Sequence, residues 1–430
     1  MIYDKSLSLP EFNQRCVRID GKEIAGRGAL RIRRTNLKAK GDSLESAEGA
    51  KPVFSLPAGT ERIYRAAWDG RFYAYASGSL YVREEGAFVR RSGCTVPSDI
   101  VGFISREGTA QTYAVCREET YKINYNGTET VSALGGGDCA ALYNERLFSA
   151  KGDRVAYTQA LTPQSAGVGV QGRGYIDLPH ENGNILRMTG LENKLFLFRE
   201  RGISYLRVLG DNLNFNAGSV TCSFGRLNAR SVAKCGDKIA FLSESGFFLF
   251  DGTVCERISV SDDIDFTVSA EGAGQGGKYY AAVTLKSGER ALFAYDFFEK
   301  SSYLLNYRAQ SVVFAEQMYF SVGNNLYTLT ECGLPQGERA TVETELTLLG
   351  LSDGNKYLDA VVIEGTGYFS VEVRSDTGGC GQAQGEAGRR LALRYPVKGN
   401  AFAFRIHSYS QRVEIGGITL YVRQEKKYGY

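Results

Sequence analysis

IAFLSESGFFLF, residues 239 to 250, decides the fold. Five residues ending in Leu-Ser, a short polar turn closed by Gly246 and four aromatic or aliphatic residues read as two buried strands of one hairpin. The pattern recurs: FYAYASGSLYV starts at Phe72, TYAVCREETYKI at Thr112, LFSAKGDRVAYT at Leu147, LFLFRERGISYLRV at Leu195, YYAAVTLKSGERALFAYD at Tyr279 and MYFSVGNNLYTL at Met318. With Ile239 in place, the seven starts are 40, 35, 48, 44, 40 and 39 residues apart. A hairpin in every unit of about forty residues is the mark of a β-propeller, because one small sheet cannot bury both of its faces alone.

Composition agrees with an all-β chain. Aromatics make up 12% of the 430 residues and 51 glycines stand against 8 prolines, which suits half-buried pleated strands joined by turns that need positive φ. A chain of this length exceeds one hydrophobic core. The repeats place a β-propeller of about seven blades, with six also compatible, over residues 63–333, preceded by an N-terminal arm over 1–62 that could close the last blade. From residue 340 the period stops. Six alternating runs follow, starting at Thr341, Lys356, Tyr368, Arg389, Ala401 and Arg412, and they predict an antiparallel β-sandwich over 340–430. The insert TGGCGQAQGEAG from Thr377 reads as a loop, as does the Gly-rich stretch from Leu161 to Ile176.

Chemistry-bearing residues are sparse. The two histidines, His180 and His407, lie in different expected domains, which disfavours a Ser-His-Asp set or a His-rich zinc site. Asp262, Asp263 and Asp265 form the densest acidic cluster, but they lack calcium-loop spacing and read as a polar connector. The glycines of GGGD (135–138) and GAGQGG (272–277) read as turns, since no helix follows them to carry a phosphate loop. Asn126-Gly127-Thr128 reads as a hairpin turn. Nine scattered cysteines without a CxxC motif read as buried small hydrophobes in a reducing compartment. No catalytic residue, cofactor or metal is expected.

The net charge of +3 does not describe a polyanion-binding protein as a whole. One local cluster stands out: Arg27, Arg31, Arg33, Arg34, Lys38 and Lys40 fall within fifteen residues without an acidic one, and are candidate contacts for a phosphate backbone or an acidic partner surface. The start MIYDKSLSLPEF lacks the basic and apolar regions of a secretory signal and no run is long enough to span a membrane, so the expectation is a product made in a cytoplasm.

With one tryptophan the chain cannot carry a recurrent WD signature. The stretch LENKLFLFRERGISYLRV, then FGRLNARSVAKCGDKIAFLSESGFFLFDG and ERIS, resembles propeller proteins of tailed bacteriophages over residues 190–260. The resemblance rests on the Gly236-Asp237 turn, Ile239 to Ser243, the Ser245-Gly246 turn, and Phe247 to Gly252. The run from KYLDAVVIEG to VEIGGITLYV is similar to the sandwich that ends many such virion proteins. That resemblance implies a non-enzymatic structural protein of a phage or prophage. Its expected place is the head-to-tail junction or tail, as a ring-forming connector, stopper or tail accessory protein. The expected partners are other virion proteins and copies of itself, with weak contact to packaged DNA. The alternatives are a receptor-binding adhesin and a carbohydrate-active propeller enzyme.

Overall fold

The computed structural model describes residues 2–9, 32–41, 43–66, 70–96, 100–105, 112–124, 127–130, 135–158, 174–208, 215–259, 263–334, 338–346 and 355–425. The chain divides into two units: one holds residues 52–291 and 307–328, the other residues 1–51, 292–306 and 329–430. Among the described residues the fold is β throughout, apart from a single turn of 3-10 helix at Ala229–Ser231.

The first unit is a β-propeller. Its innermost strands are Thr60–Arg65, Gly102–Ser105, Cys139–Tyr143, Ile185–Leu191, Ala233–Cys235, Glu271–Gln275 and Ser311–Phe314. Each pairs antiparallel with the first strand of one quoted hairpin: Phe72–Ala76, Thr112–Val115, Arg146–Lys151, Lys194–Arg199, Lys238–Ser243, Lys278–Thr284 and Met318–Val322. Neighbouring inner strands adjoin around a closed circle. Between the first two blades the contact is made by Arg62, which donates to the Ile100 carbonyl at 3.1 Å, and by Tyr64 stacked on Phe103 at 4.7 Å. The sixth repeat gives this unit Glu271–Gln275 and Lys278–Thr284, while most of Arg290–Asp296 and all of Ser301–Leu305 fall in the other unit.

Residues 236–252 explain how a blade forms. Gly236 adopts φ +70° in a two-residue turn with Asp237. Ser243 pairs with Gly246 across the next turn, and its hydroxyl accepts from the Ser245 amide at 3.2 Å. Asp251 closes the strand by accepting from the Thr253 and Val254 amides, both at 2.8 Å, and Gly252 follows at φ +96°. Such self-bonded turns favour Asp and Gly because their backbones leave the strand region cheaply.

Blades are joined by aromatic side chains. Phe241 is fully buried between Phe198 and Phe224, with centroids 5.4 and 5.0 Å away and edge-to-face geometry. Each such ring is worth roughly 1.5–3 kcal/mol of burial, with up to about 1 kcal/mol more from the ring pairing. Glycines 272 and 274, expected in a turn, instead lie in the inner strand Glu271–Gln275. The reason is close approach: a Cβ on Gly272 would sit 2.1 Å from the Ser231 carbonyl oxygen, and one on Gly274 2.0 Å from that of Lys234.

The sheet of the last blade takes Glu48–Ser55 as its fourth strand, beside Asn325–Cys332. Within the propeller unit the Leu56 amide donates to the Asn324 carbonyl at 2.7 Å. Phe54 meets Phe72 and Phe88 of the first blade, each at 5.6 Å, and Arg83 lies over its ring.

The second unit has two sheets that share one hydrophobic core containing Leu44, Val342, Ile363, Val371, Phe404 and Leu420. One sheet orders Leu37–Lys40, Ser43–Ser46, Glu414–Glu425, Lys356–Thr366 and Arg390–Gly399, with Ile2–Leu9 also paired to Glu414–Glu425. The other includes Ser301–Leu305, Ile32–Thr35, Ala340–Thr344, Phe402–Ser408, Tyr368–Ser375 and Cys380–Glu386. Strands from the first fifty residues are therefore built into this unit beside the six runs after residue 340. Cys380–Glu386, expected in a loop, is a strand: Gly381 and Gly385 lie where a Cβ would come within 2.6 Å of Val397 and 2.5 Å of Leu391. The loop expected over 161–176 falls mostly outside the described residues.

Candidate functional site

Inner strands of a propeller point side chains toward its axis, so residues far apart in sequence meet there. In this unit they line a cavity of about 290 Å³ bounded by residues from six of the inner strands or their flanks, among them Arg62, Tyr64, Phe103, Arg187 and Glu271. Arg230 and Lys234 also line it and are exposed.

The two interior arginines share a backbone device. The pairing of Thr60–Arg65 with its neighbour shifts register between Thr60 and Arg62, and that of Ile185–Leu191 shifts between Ile185 and Arg187. A bulge turns a side chain out of the regular alternation, and here each bulge stands next to a guanidinium that lines the cavity. Arg62 is tied to the Ile100 carbonyl. Arg187 has no hydrogen bond and no ion pair among the described residues.

Electrostatics follow from burial. Arg187 is held below the usual arginine range, chiefly by desolvation, with Arg62 acting in the same direction and Glu271 opposing. Glu271 is pushed above the usual carboxylate range by burial, against the pull of Arg62, the Ser311 hydroxyl and Arg187. Burial also raises Tyr64. Its hydroxyl lies beside the Arg62 guanidinium without meeting hydrogen-bond geometry, and is a buried polar atom with no partner. Two arginines, one carboxylate and an unsatisfied phenol leave the interior of the cavity with net positive charge.

The basic cluster expected over residues 27–40 is not gathered into one open face among the described residues. Arg27 and Arg31 lie outside the described residues, and of Arg33 only the backbone is described, paired with Glu343. Arg34 is buried, donates to the Ser302 carbonyl at 2.6 Å, and is brought down to about 9 by desolvation. Lys38 stands 3.6 Å from Glu45 and 3.7 Å from Glu48, and Lys40 bonds Glu45 at 2.9 Å.

His180 is exposed and bonds Asp153, while His407 is half-buried and held below the usual histidine range, chiefly by desolvation. Asp262 lies outside the described residues, and Asp265 accepts from the Thr267 amide and hydroxyl at 3.0 and 2.6 Å in a turn. No group of three or more metal-ligating side chains occurs among the described residues. None of their helices is long and apolar enough to cross a membrane.

No protein family matches the chain, and neither does any curated protein. Among solved structures it is similar to PorZ, a surface component of the type-IX secretion system of Porphyromonas gingivalis, at 11% identity and TM-score 0.43. That likeness covers 78% of this chain, which spans 46% of the PorZ chain. The chain is also similar to the Pan2 WD40 domain of Neurospora crassa, at 8% identity and TM-score 0.41 over 63% of this chain and 89% of that one. The N-terminal domain of Nup159 gives 11% identity and TM-score 0.42 over 65% of this chain and 93% of that one.

Proposed function

We propose that this chain is a non-enzymatic structural protein of a tailed phage or prophage particle, acting as a ring-forming connector or stopper at the head-to-tail junction or in the tail. The observation that carries this reading is the stretch 236–252, whose turn, strand, turn, strand and Asp-Gly close resemble the blades of phage propeller proteins. Its physical logic is rigidity. Blades locked by interleaved aromatics resist shear, and the loops between them offer broad docking faces.

Copies around a particle axis would meet through heterologous contacts that close by rotation. Permanent contacts of this kind bury upward of about 2,000 Å² and are rich in aromatic residues. Exposed aromatic side chains suited to such contacts occur on each unit: Tyr175 on the propeller, and Phe298, Tyr395 and Tyr409 on the two-sheet unit. Partners in this reading are other virion proteins and further copies of the chain, with weak contact to packaged DNA.

Immunogold electron microscopy of particles from the producing strain tests it. Label at the head-to-tail junction or along the tail is the expected result. Particles free of label, from cells that express the protein, overturn it, and label confined to the distal tip replaces the connector with an adhesin.

A further inference from the structure

We infer that the axial cavity of the propeller binds an oxyanion of the phosphate class, gripped by Arg187 and Arg62 and hydrogen-bonded by the Tyr64 hydroxyl. The ligand is either the free anion or the phosphoryl end of a small organic molecule. This inference stands on the cavity alone and does not need the virion reading.

The first ground is charge balance. Arg62 and Arg187 share the interior with one carboxylate, Glu271, and Arg187 makes no ion pair among the described residues. A half-buried guanidinium without a counter-charge is costly, and a bound anion reduces that cost. Arg230 and Lys234 add positive charge among the lining residues, so a dianion suits the site better than a monoanion, and the exposed pair would draw it in.

The second ground is hydrogen bonding. Among the described residues, Arg187 has no partner for its five guanidinium N–H groups, Arg62 makes one bond, to a carbonyl, and the Tyr64 hydroxyl is buried without a partner. These donors converge on one space that contains one carboxylate. A tetrahedral oxyanion carries enough acceptors for two guanidinium forks and a phenol, which a carboxylate does not.

The third ground is the backbone. Two separate inner strands bulge, and each bulge falls next to one of the two arginines. Bulges are enriched beside sites where a side chain must be re-aimed. The volume, about 290 Å³, is at the lower end for small-molecule sites, with room beyond a lone phosphate. The stacked Tyr64 and Phe103 rings give it an apolar wall against which an organic group would rest.

Isothermal titration of the full chain with inorganic phosphate and, separately, glucose 6-phosphate, at constant ionic strength in chloride, tests the inference. Saturable binding of at least one probe at one site per chain is expected. Arg187→Met should weaken it at least tenfold, and Glu271→Gln, which removes the competing carboxylate, should tighten it severalfold. Equal affinity for the two probes identifies the free anion as ligand, and tighter binding of glucose 6-phosphate identifies the phosphoryl end of a larger molecule. No saturable binding of either probe to the unaltered chain overturns the inference. So does an Arg187→Met protein that binds as tightly as the parent, or a Glu271→Gln protein that binds more weakly. The Glu271 arm keeps the test decisive if the Arg187 variant does not fold.

Discussion

Arg199, on the first strand of the hairpin that begins at Leu195, is 2% exposed and reaches the carboxylate of Asp153, which sits in the hairpin turn of the blade before it. Its other nitrogens donate to the Gly183 and Pro179 carbonyls at 2.7 and 2.6 Å. One buried cation thus satisfies three acceptors and fastens two blades.

Replacing Arg199 with Met should destabilise the propeller by roughly 3 kcal/mol, because it orphans those acceptors as well as removing the charge. Asp153→Asn should cost less, since the amide oxygen can still accept from Arg199 and the Gly183 and Pro179 carbonyls keep their bonds to it. Urea unfolding midpoints of the two variants check the order; equal losses would contradict it.

Gly274→Ala should lower stability by roughly 2–3 kcal/mol or prevent folding, because its Cβ would be 2.0 Å from a backbone carbonyl that cannot move aside. Gly276→Ala, two residues on, has open space and should be tolerated. Thermal unfolding of the pair separates close packing from mere loss of glycine flexibility.

Phe54→Ala removes the ring that touches Phe72 and Phe88, and should cost roughly 2–3 kcal/mol given that the site is partly exposed. Hydrogen exchange should accelerate most in Ser311–Phe314, Met318–Val322 and the first blade, with the fourth and fifth blades little changed. Uniform acceleration would mean that the seam is not a separate weak point.

Asp251 is held below the usual carboxylate range by the Val254 and Thr253 amides. A depressed folded-state pKa contributes stability that is present above the unfolded value, near 4, and disappears as pH falls through the folded value. Asp251→Ala should therefore cost less than about 1 kcal/mol at pH 7, because the carboxylate is exposed and water screens it, and the gap to the parent should narrow toward pH 3. Stability curves from pH 7 down to pH 3 provide the check.

How much of this could be read in advance depended on where the cause lay. Phe72–Ala76 through Met318–Val322 were legible because their alternation and their turns are local. The inner strands were not: EGAGQ and AKC carry little hydrophobic signal, since the crowded axis requires small residues there. The axial site was invisible for a related reason. Arg62, Arg187 and Glu271 are separated by more than eighty residues at each step, and only closure of the circle brings them together. What signal existed was an arginine inside two otherwise inward-facing strands, TERIYR and ILRMTGL. Of the basic run over 27–40, Lys38 and Lys40 are offset by an acid that lies just beyond it in sequence. The turn that follows Lys40 brings Glu45 opposite Lys38.

The strand that completes the last blade sets a timetable for synthesis. Ser55 leaves the ribosome 270 residues before its neighbour Asn325, which at about 5–20 residues per second is roughly 14–54 s of waiting. Throughout that time the nascent segment has no partner for its hydrogen-bonding edge, a standing invitation to pair with other chains. Pro52 lacks an amide hydrogen and Lys51 is exposed beside it, so the waiting strand carries its own guard against premature pairing.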